Sequence, residues 1–408
     1  MVIKIMNFPL SCEAVIIGGG MMGCSIAYRL AQADYDVIVL EWRNIASGAS
    51  GRNGGQVIQL DGRDKDPSSI ARRLIYTKEN TKLLDELVEE LDYDFELNRC
   101  GSFDIAFNEK EAEELNELVE IQRKAGDKEI EFLEGKEVEK MFPMLKKGIY
   151  GARYRLTDGN LEPFKLTYGL AKAAKNHKAK IYTHSNVDKI LIGDNGEVIG
   201  VSIQGKIIKA KWVINATNAW APILTPEIDI LPLRQVAVLT ERIAPIEKPS
   251  PIETVIEGDV IYTTTQTKSG NVIVGGLRTQ ARFRNDHYKE DVSLEEIQES
   301  TSIISKLFPS LSHVNIIRTW AGTMGFTADG LPCVGPIPDI KGLLIAAGFS
   351  NGMANVAIIG KLVSEYILHN GKTSLPLDPF DPARFYKKKI NWPEPYNYTV
   401  LAEFLKKL

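Results

Sequence analysis

Between Ala14 and Leu30 the chain runs AVIIGGGMMGCSIAYRL, and its hydrophobic period changes midway. The first four positions are all apolar, which predicts a short strand buried on both faces, as in a parallel sheet. From Met21 to Ala33 the apolar residues Ile26, Ala27 and Leu30 fall on one stripe, which predicts a helix. The next run, DVIVLE from Asp36 to Glu41, predicts a second parallel strand. ARRLIYTKENTKLLDELVEEL and EKEAEELNELVEIQRKAG have helical spacing with charged faces that belong to solvent. From Ala179 to Asn215 the pattern predicts consecutive strands with turns at Asp194-Asn195-Gly196 and Gln204-Gly205, a β-meander in place of a crossover helix. Alternation from 233 to 277, as in NVIVGGL, predicts antiparallel strands. GLLIAAGFSNGMANVAIIGKLVSEYIL returns to strand, glycine turn and helix, with Gly348 and Gly352 in the turn and the helix ending near Leu368.

The glycines after the first strand form G-x-G-x-x-G: Gly18, Gly20 and Gly23. In a strand-turn-helix unit the first makes the tight turn, the second admits a pyrophosphate to the backbone, and the third lets helix and strand pack closely. Free N–H groups at the helix start favour an anion there. Glu41, ending the second strand, stands where a dinucleotide's ribose needs a carboxylate. The following stretch, SGASGRNGGQV from Ser47 to Val57, departs from an NAD site, which would continue with another strand and helix. It reads as a second cradle, with backbone N–H groups around Gly51, Gly54 and Gly55, hydrogen bonds from Ser47, Ser50 and Asn53, and a charge from Arg52. The turn at Gly348–Gly352 points a second helix start at another negative charge. FAD fits this layout better than NAD.

Composition narrows the class. A chain of 408 residues, 44% hydrophobic, holds enough apolar material for two interlocked domains, and the element pattern makes the fold class α/β (α+β). A net charge of -4 offers no positive field for a phosphate backbone, so no nucleic-acid partner is expected. Cys12, Cys24, Cys100 and Cys333 stand apart without a C-x-x-C pair, which predicts reduced thiols, no metal site and a cytoplasmic setting. The first residues carry no export signal, and no window reaches about 18 uninterrupted apolar residues.

Six pieces in order carry a family resemblance: VIIGGGMMGCSIAYRLA, VLEWRNIASGASGRNGGQ, TDGNLEPFKL, VINATNAWAP, RTWAGTMGFTADGLPCVGP and LLIAAGFSNGM. The chain resembles the FAD-dependent amine and amino-acid oxidoreductases related to D-amino acid oxidase, glycine oxidase and sarcosine oxidase over nearly all of residues 12 to 385. It is also similar to the catalytic subunits of dye-linked L-proline dehydrogenase and of hydrogen cyanide synthase. The resemblance implies a Rossmann-like FAD-binding domain of glutathione-reductase type (1–80, 150–230 and 320–370). An inserted antiparallel-sheet substrate domain (81–149 and 231–319) and a C-terminal extension (371–408) complete it. It implies that Gly18, Gly20, Met22 and Gly23 meet the FAD pyrophosphate, with Glu41 and its neighbour Trp42 at the ribose. The loop of Ser47, Gly48, Ser50, Arg52, Asn53, Gly54, Gly55 and Gln56 then surrounds phosphate and flavin. Val187 meets the adenine through its backbone, and Ala216, Thr217 and Trp220 line the opposite side. Gly322, Gly348, Ser350, Asn351, Gly352 and Met353 border the isoalloxazine. Cys333 does not match the covalent attachment position of sarcosine oxidases, so the FAD is expected to be non-covalent.

The implied reaction oxidises the C–N bond of a small amine or amino acid of the glycine, sarcosine, proline or D-amino acid class. Hydride passes to flavin N5 and the imine is then hydrolysed. Such chemistry asks the protein for position and desolvation, and no acid-base catalyst is singled out. Where glycine-oxidase-like members carry two arginines for the substrate carboxylate, this chain has Met324 and Ser350. Arg278 is the substitute, either as carboxylate partner or as counterpart of the flavin-facing lysine that assists oxygen reduction; Gln56, Tyr262 and Met324 are further pocket candidates. Two alternatives stay open. One is a flavin-dependent 2-hydroxy-acid dehydrogenase, which needs a base such as His287 or His313. The other is an FAD electron-transfer subunit of a heteromeric complex. The acceptor is oxygen, a quinone or a partner protein. A homo- or hetero-oligomer is compatible with all readings, as is attachment at a membrane surface through a partner.

Overall fold

The computed structural model describes residues 8–60, 65–246, 251–256, 260–277 and 288–392. Numbered in chain order, one sheet holds β1 (Ser11–Ile17), β2 (Val37–Leu40), β8 (Lys180–Tyr182), β9 (Lys189–Ile192), β10 (Val198–Ile203), β11 (Lys206–Asn215), β17 (Cys333–Pro336) and β18 (Leu343–Ala347). Its order is β17-β18-β11-β1-β2-β8, with β10 and β9 continuing from the first half of β11. β1 runs parallel to both β2 and β11, pairing Ile17 with Leu40 and with Asn215. The unbroken apolar runs have a direct cause here. Ala14 and Ile16 face one core and Val15 and Ile17 the other; Val37 and Val39 of β2 oppose Ile38 and Leu40 in the same way. A strand between two cores has no solvent face to mark with polar residues.

The helices are α1 (Met21–Gln32), α2 (Pro67–Glu90), α3 (Glu109–Lys124), α4 (Gly135–Met141), α5 (Pro163–Asn176), α6 (Leu294–Leu307) and α7 (Val356–Leu368). α1, α2, α5 and α7 share one core on one face of the first sheet. α1 is buried almost all round, because α7 crosses it so closely that a Cβ on Gly360 would lie 2.0 Å from the Ser25 hydroxyl. α5 has no counterpart among the expected elements, although Glu162 caps it and Pro163 opens it, both recognisable start signals.

The second sheet contains β4 (Ser102–Ala106), β5 (Ile130–Glu134), β6 (Gly151–Arg155), β12 (Leu231–Arg242), β13 (Ile252–Ile256), β14 (Val260–Gln266), β15 (Asn271–Leu277) and β16 (Ile316–Phe326). They lie in the order β16-β12-β15-β14-β13-β4-β6-β5, all antiparallel except β13 against β4. Strand pairing, such as Ser102 with Arg155, carries this sheet to residue 155 and to residue 326, past the 149 and 319 expected for the substrate domain. A two-residue ladder joins β3 (Gln56–Val57) to β7 (Gly159–Asn160) between the two sheets. The described part of the C-terminal extension folds back: Phe380 packs edge-on against Tyr76, and the Trp392 indole N–H donates to Asp229. Residues 393–408 lie outside the described residues. No described helix is long and apolar enough to cross a membrane.

Candidate active site

The first glycine turn sits at the C-terminal edge of the first sheet. Gly18 adopts φ +110°, and a Cβ there would meet the Ala216 carbonyl at 2.8 Å. A Cβ on Gly23 would lie 2.0 Å from the Gly18 carbonyl, which leaves no room for any larger residue. The Gly19 amide donates to Glu41 (2.7 Å), the Met21 amide to the Ser50 hydroxyl (2.9 Å) and the Cys24 amide to the Gly20 carbonyl (2.9 Å). The amides of Gly20, Met22 and Gly23 donate to no described residue. They are the orphan donors of a helix start, and they suit a phosphate. Glu41 accepts from the Arg43 amide as well. Beside it the Ser185 amide donates to the Glu41 carbonyl, and Val187, 5% exposed, has a backbone with no hydrogen bond to a described residue. Trp42 is exposed, with the Arg43 guanidinium over its ring.

The second loop corrects two sequence readings. Arg52 offers no spare charge: its guanidinium donates to the carbonyls of Ser47 and Ala321 and pairs with Glu290 at 2.9 Å. Its own carbonyl accepts the Trp320 indole N–H. Arg52 therefore ties this loop to β16. A part-buried guanidinium takes whatever acceptors the fold supplies within reach, and these are not adjacent in sequence. Asn53 donates to the carbonyls of Ala49 and Ser50 and accepts the Gly55 amide, so it braces the loop. Ser47 accepts the Asn44 amide. Ser50, which accepts from Met21, keeps its hydroxyl proton for a ligand. Gly55 (φ +75°) presses within 1.9 Å of Leu161 O for any added Cβ, whereas Gly54 and Gly48 have ordinary room, Gly48 against Trp220.

On the opposite side Asn215 is fully buried. It donates to the Ala221 carbonyl and Thr225 and accepts both the amide and the hydroxyl of Thr217, which fixes the turn from Ala216 to Trp220. Trp220 packs against Tyr288. Gly348 (φ +78°) opens the last turn, and the Phe349 amide donates to Asn218. The expectation that the following helix start faces a ligand is overturned. α7 begins only at Val356, and buried Asn80 of α2 accepts the amides of Ala357 (2.9 Å) and Ile358 (3.3 Å) while donating to the Met353 carbonyl. The open donors are instead the amides of Ser350, Asn351, Gly352 and Met353, which bond to no described residue. Asn351 anchors this turn by donating to the Ile58 carbonyl. Gly322 lies under Arg52, where a Cβ would meet the Arg52 Cβ at 2.8 Å.

One face of the second sheet looks at this loop. Gly322 pairs with Gln235, and Gly275 with Ala237 and Thr263. With alternation along each strand, Gly322, Met324, Gln235, Ile273, Gly275 and Thr263 share the face, and a Cβ on Gly54 would stand 3.8 Å from Ile273. Tyr262, expected to wall the pocket, points the other way, into the core with Val274, Val238 and α6 residues; one position along a strand reverses the side. Met324 is on the loop-facing side but packs, part-buried, on the cluster holding Leu233 and Trp392. Gln56 donates weakly to the Thr264 carbonyl at 3.4 Å. Arg278 and His287 lie outside the described residues, and His313 is exposed beyond α6.

The TDGNLEP motif proves to be a bracket. Buried Asp158 accepts the Gln59 amide and the Ser102 hydroxyl, and Asn160 donates to Thr265 and to the Gln266 carbonyl. Arg153 adds a bond to the Leu60 carbonyl. Burial pushes the Asp158 carboxyl up, against the pull of Arg155 and its donors. Asn80, Asn160 and Gln235 carried no signal in sequence, since each is one amide among many until the fold gives it neighbours. Burial pushes the thiols of Cys12, Cys24 and Cys333 up to about 12, which makes them poor nucleophiles at neutral pH. No cluster of metal-ligating side chains occurs among the described residues.

Comparison with known proteins extends this geometry. Residues 13–366 match the DAO family, described as FAD dependent oxidoreductase. Human mitochondrial dimethylglycine dehydrogenase is 26% identical over 92% of this chain, which spans only 44% of that protein. Glycine oxidase from Geobacillus kaustophilus is 27% identical, covering 92% of this chain and 98% of the relative. The crystal structure of L-proline dehydrogenase from P. horikoshii superposes with a TM-score of 0.82 at 30% identity, over 93% of this chain and 98% of that one. With its strand-turn-helix cradle, second glycine loop and facing antiparallel sheet, this chain belongs to the DAO family of FAD-dependent oxidoreductases.

Proposed function

We propose that the chain, with FAD held non-covalently, oxidises the C–N bond of a small amine or amino acid. The observation that carries this reading is the set of backbone donors unspent on described residues at three separated places: Gly20, Met22 and Gly23; Val187; and Ser350 to Met353. Their spread suits a long, flat, anionic dinucleotide better than a compact phosphate. Gly20, Met22, Gly23 and the Ser50 hydroxyl would receive the pyrophosphate, Glu41 the ribose hydroxyls and Val187 the adenine. The Ser350–Met353 amides would lie at the pole of the ring that gathers negative charge on reduction, where fixed donors favour the reduced state. Bound FAD supplies the two-electron acceptor: the substrate's Cα–H leaves as hydride, the C–N bond becomes an imine, and water hydrolyses it.

The chain's own part is to bind, orient and exclude water. The bracket of Asp158 to Leu161 fixes the second loop against the second sheet, and so would set the width left for a ring and substrate between them. Small amino acids as substrates are supported by the names of the relatives, which act on glycine, dimethylglycine and L-proline. The electron acceptor and any partner subunit belong to the same proposal.

The test is anaerobic: the yellow holoprotein is mixed with glycine, sarcosine, dimethylglycine, L- and D-proline and a set of 2-hydroxy acids, and absorbance near the flavin maximum is followed. Bleaching by the amines is expected. Colourless protein that takes up no FAD, or bleaching by hydroxy acids alone, overturns the reading. Repetition in air separates oxidase from dehydrogenase.

A further inference from the structure

The face of the second sheet that looks at the glycine loop has two polar side chains left unspent. Gln235 of β12 and Thr263 of β14 are each half-buried, and neither side chain makes a hydrogen bond to a described residue. They flank Gly275 of β15: a Cβ placed there would stand 3.6 Å from the Gln235 amide nitrogen and 3.6 Å from the Thr263 hydroxyl. Glycine in mid-strand gives up packing and costs backbone entropy, so the gap it leaves between two donors calls for an occupant. The loop and β7 cover the neighbouring parts of this face: Arg52 lies over Gly322, a Cβ on Gly54 would stand 3.8 Å from Ile273, and Asn160 of β7 donates to Thr265. It leaves the Gln235–Gly275–Thr263 patch beside them. Arg52, whose side chain lies over Gly322, is committed to two carbonyls and Glu290.

We infer that Gln235 and Thr263 form a neutral subsite across Gly275 that receives the carbonyl or carboxylate oxygen of the substrate's non-reacting end. The inference rests on the amine-oxidation reading and adds its recognition chemistry. An uncharged amide N–H and a hydroxyl bind a neutral carbonyl oxygen as well as a carboxylate, favouring the ion by only about 1 kcal/mol, under about tenfold, whereas a bidentate arginine depends on the full charge of its partner. The subsite therefore takes amino-acid amides as well as free amino acids.

The experiment uses the FAD-loaded enzyme and two readouts. The first is the apparent Kd for anaerobic flavin reduction by an amino acid and by its amide, prolinamide against proline or sarcosinamide against sarcosine. The second is the shift of the flavin visible spectrum on titration with the non-reacting probes acetate and acetamide, which reports on the patch even without turnover. Wild-type enzyme is expected to favour acid over amide by less than about tenfold. Gln235→Ala and Thr263→Val are each expected to weaken acid and amide alike by about three- to tenfold, with the limiting reduction rate little changed. Gly275→Ala, which meets only ordinary contacts, is expected to keep its thermal stability and to weaken both ligands. A preference for the acid above about a hundredfold means a cation clamp and overturns the inference, as does unchanged binding in Gln235→Ala and Thr263→Val. Failure of every amine to bleach the flavin defeats the proposed reaction, and the probe titration then still decides the subsite.

Discussion

The two strand-glycine-helix turns read almost alike in sequence and differ in structure. At the first, α1 starts directly after Gly20, Gly23 is packed against the Gly18 carbonyl, and the amides of Gly20, Met22 and Gly23 donate to no described residue, only Met21 being met, by Ser50. At the last, the chain makes a further turn before α7, and Asn80 from a distant helix closes the amides of Ala357 and Ile358. One helix end is left for a ligand and the other is sealed by protein. The difference teaches that a glycine-rich helix start is a donor set whose use depends on what else reaches it. At the second turn the donors were displaced from the helix to the loop before it.

Substitutions can break this contrast at its strongest point first. Gly23→Ala forces a Cβ onto the Gly18 carbonyl, and a shift of that backbone is expected to cost about 3 kcal/mol and to abolish FAD retention; a yellow protein with wild-type Tm would refute the tight packing. Asn80→Ala strands two buried amides and the Met353 carbonyl, with an expected loss of roughly 2 kcal/mol in denaturant unfolding and an altered flavin spectrum. A spectrum identical to wild type would mean that the cap does not set the Ser350–Met353 turn. Ser50→Ala removes the acceptor for the Met21 amide, and about 1 kcal/mol is expected, seen as weaker FAD affinity by equilibrium dialysis. Gly352→Ala is the counterpart to Gly23→Ala: its Cβ would meet Met21, Met22 and Phe349 at 3.6 Å or more, all ordinary contacts, so stability in denaturant unfolding should change by less than about 0.5 kcal/mol.

The smallest effect is a pH dependence confined to the first turn's side. Burial raises the Glu290 carboxyl, but Arg43 and Arg52 outweigh it and hold the group below the usual glutamate range. A carboxyl lowered by folding adds stability that is present above its unfolded pKa and is lost as pH falls through the folded one. FAD affinity should therefore decline modestly below about pH 4, and Glu290→Gln should be weaker at neutral pH but flatter in acid. An equal acid slope in both proteins would detach the ion pairs from the loop. Among the described residues, no ion pair ties the turn sealed by Asn80 in the same way.

Much of the fold was legible because its causes are local. Apolar runs at Ala14–Ile17 and Val37–Leu40 mark strands between two cores, and the meander and antiparallel alternation declared themselves by turns and period. The site was legible in part. Gly18, Gly20 and Gly23 form the tight turn into α1 that their spacing predicts, with Ser50 beside it, while Arg52 and Asn53 brace the loop and Tyr262 faces the opposite side of its strand.

By itself the sequence determined most of the strands and helices, though not α5, together with the two glycine turns and the dinucleotide class of ligand, because propensity, period and turn chemistry act over a few neighbouring residues. Tertiary structure alone decided which polar groups are already satisfied. Asn80 meets α7 from 277 positions away in the chain and Arg52 meets Ala321 from 269, so their hydrogen bonds exist only after the two sheets have packed. What remains free to bind a ligand is the remainder of that accounting, and no local pattern holds it.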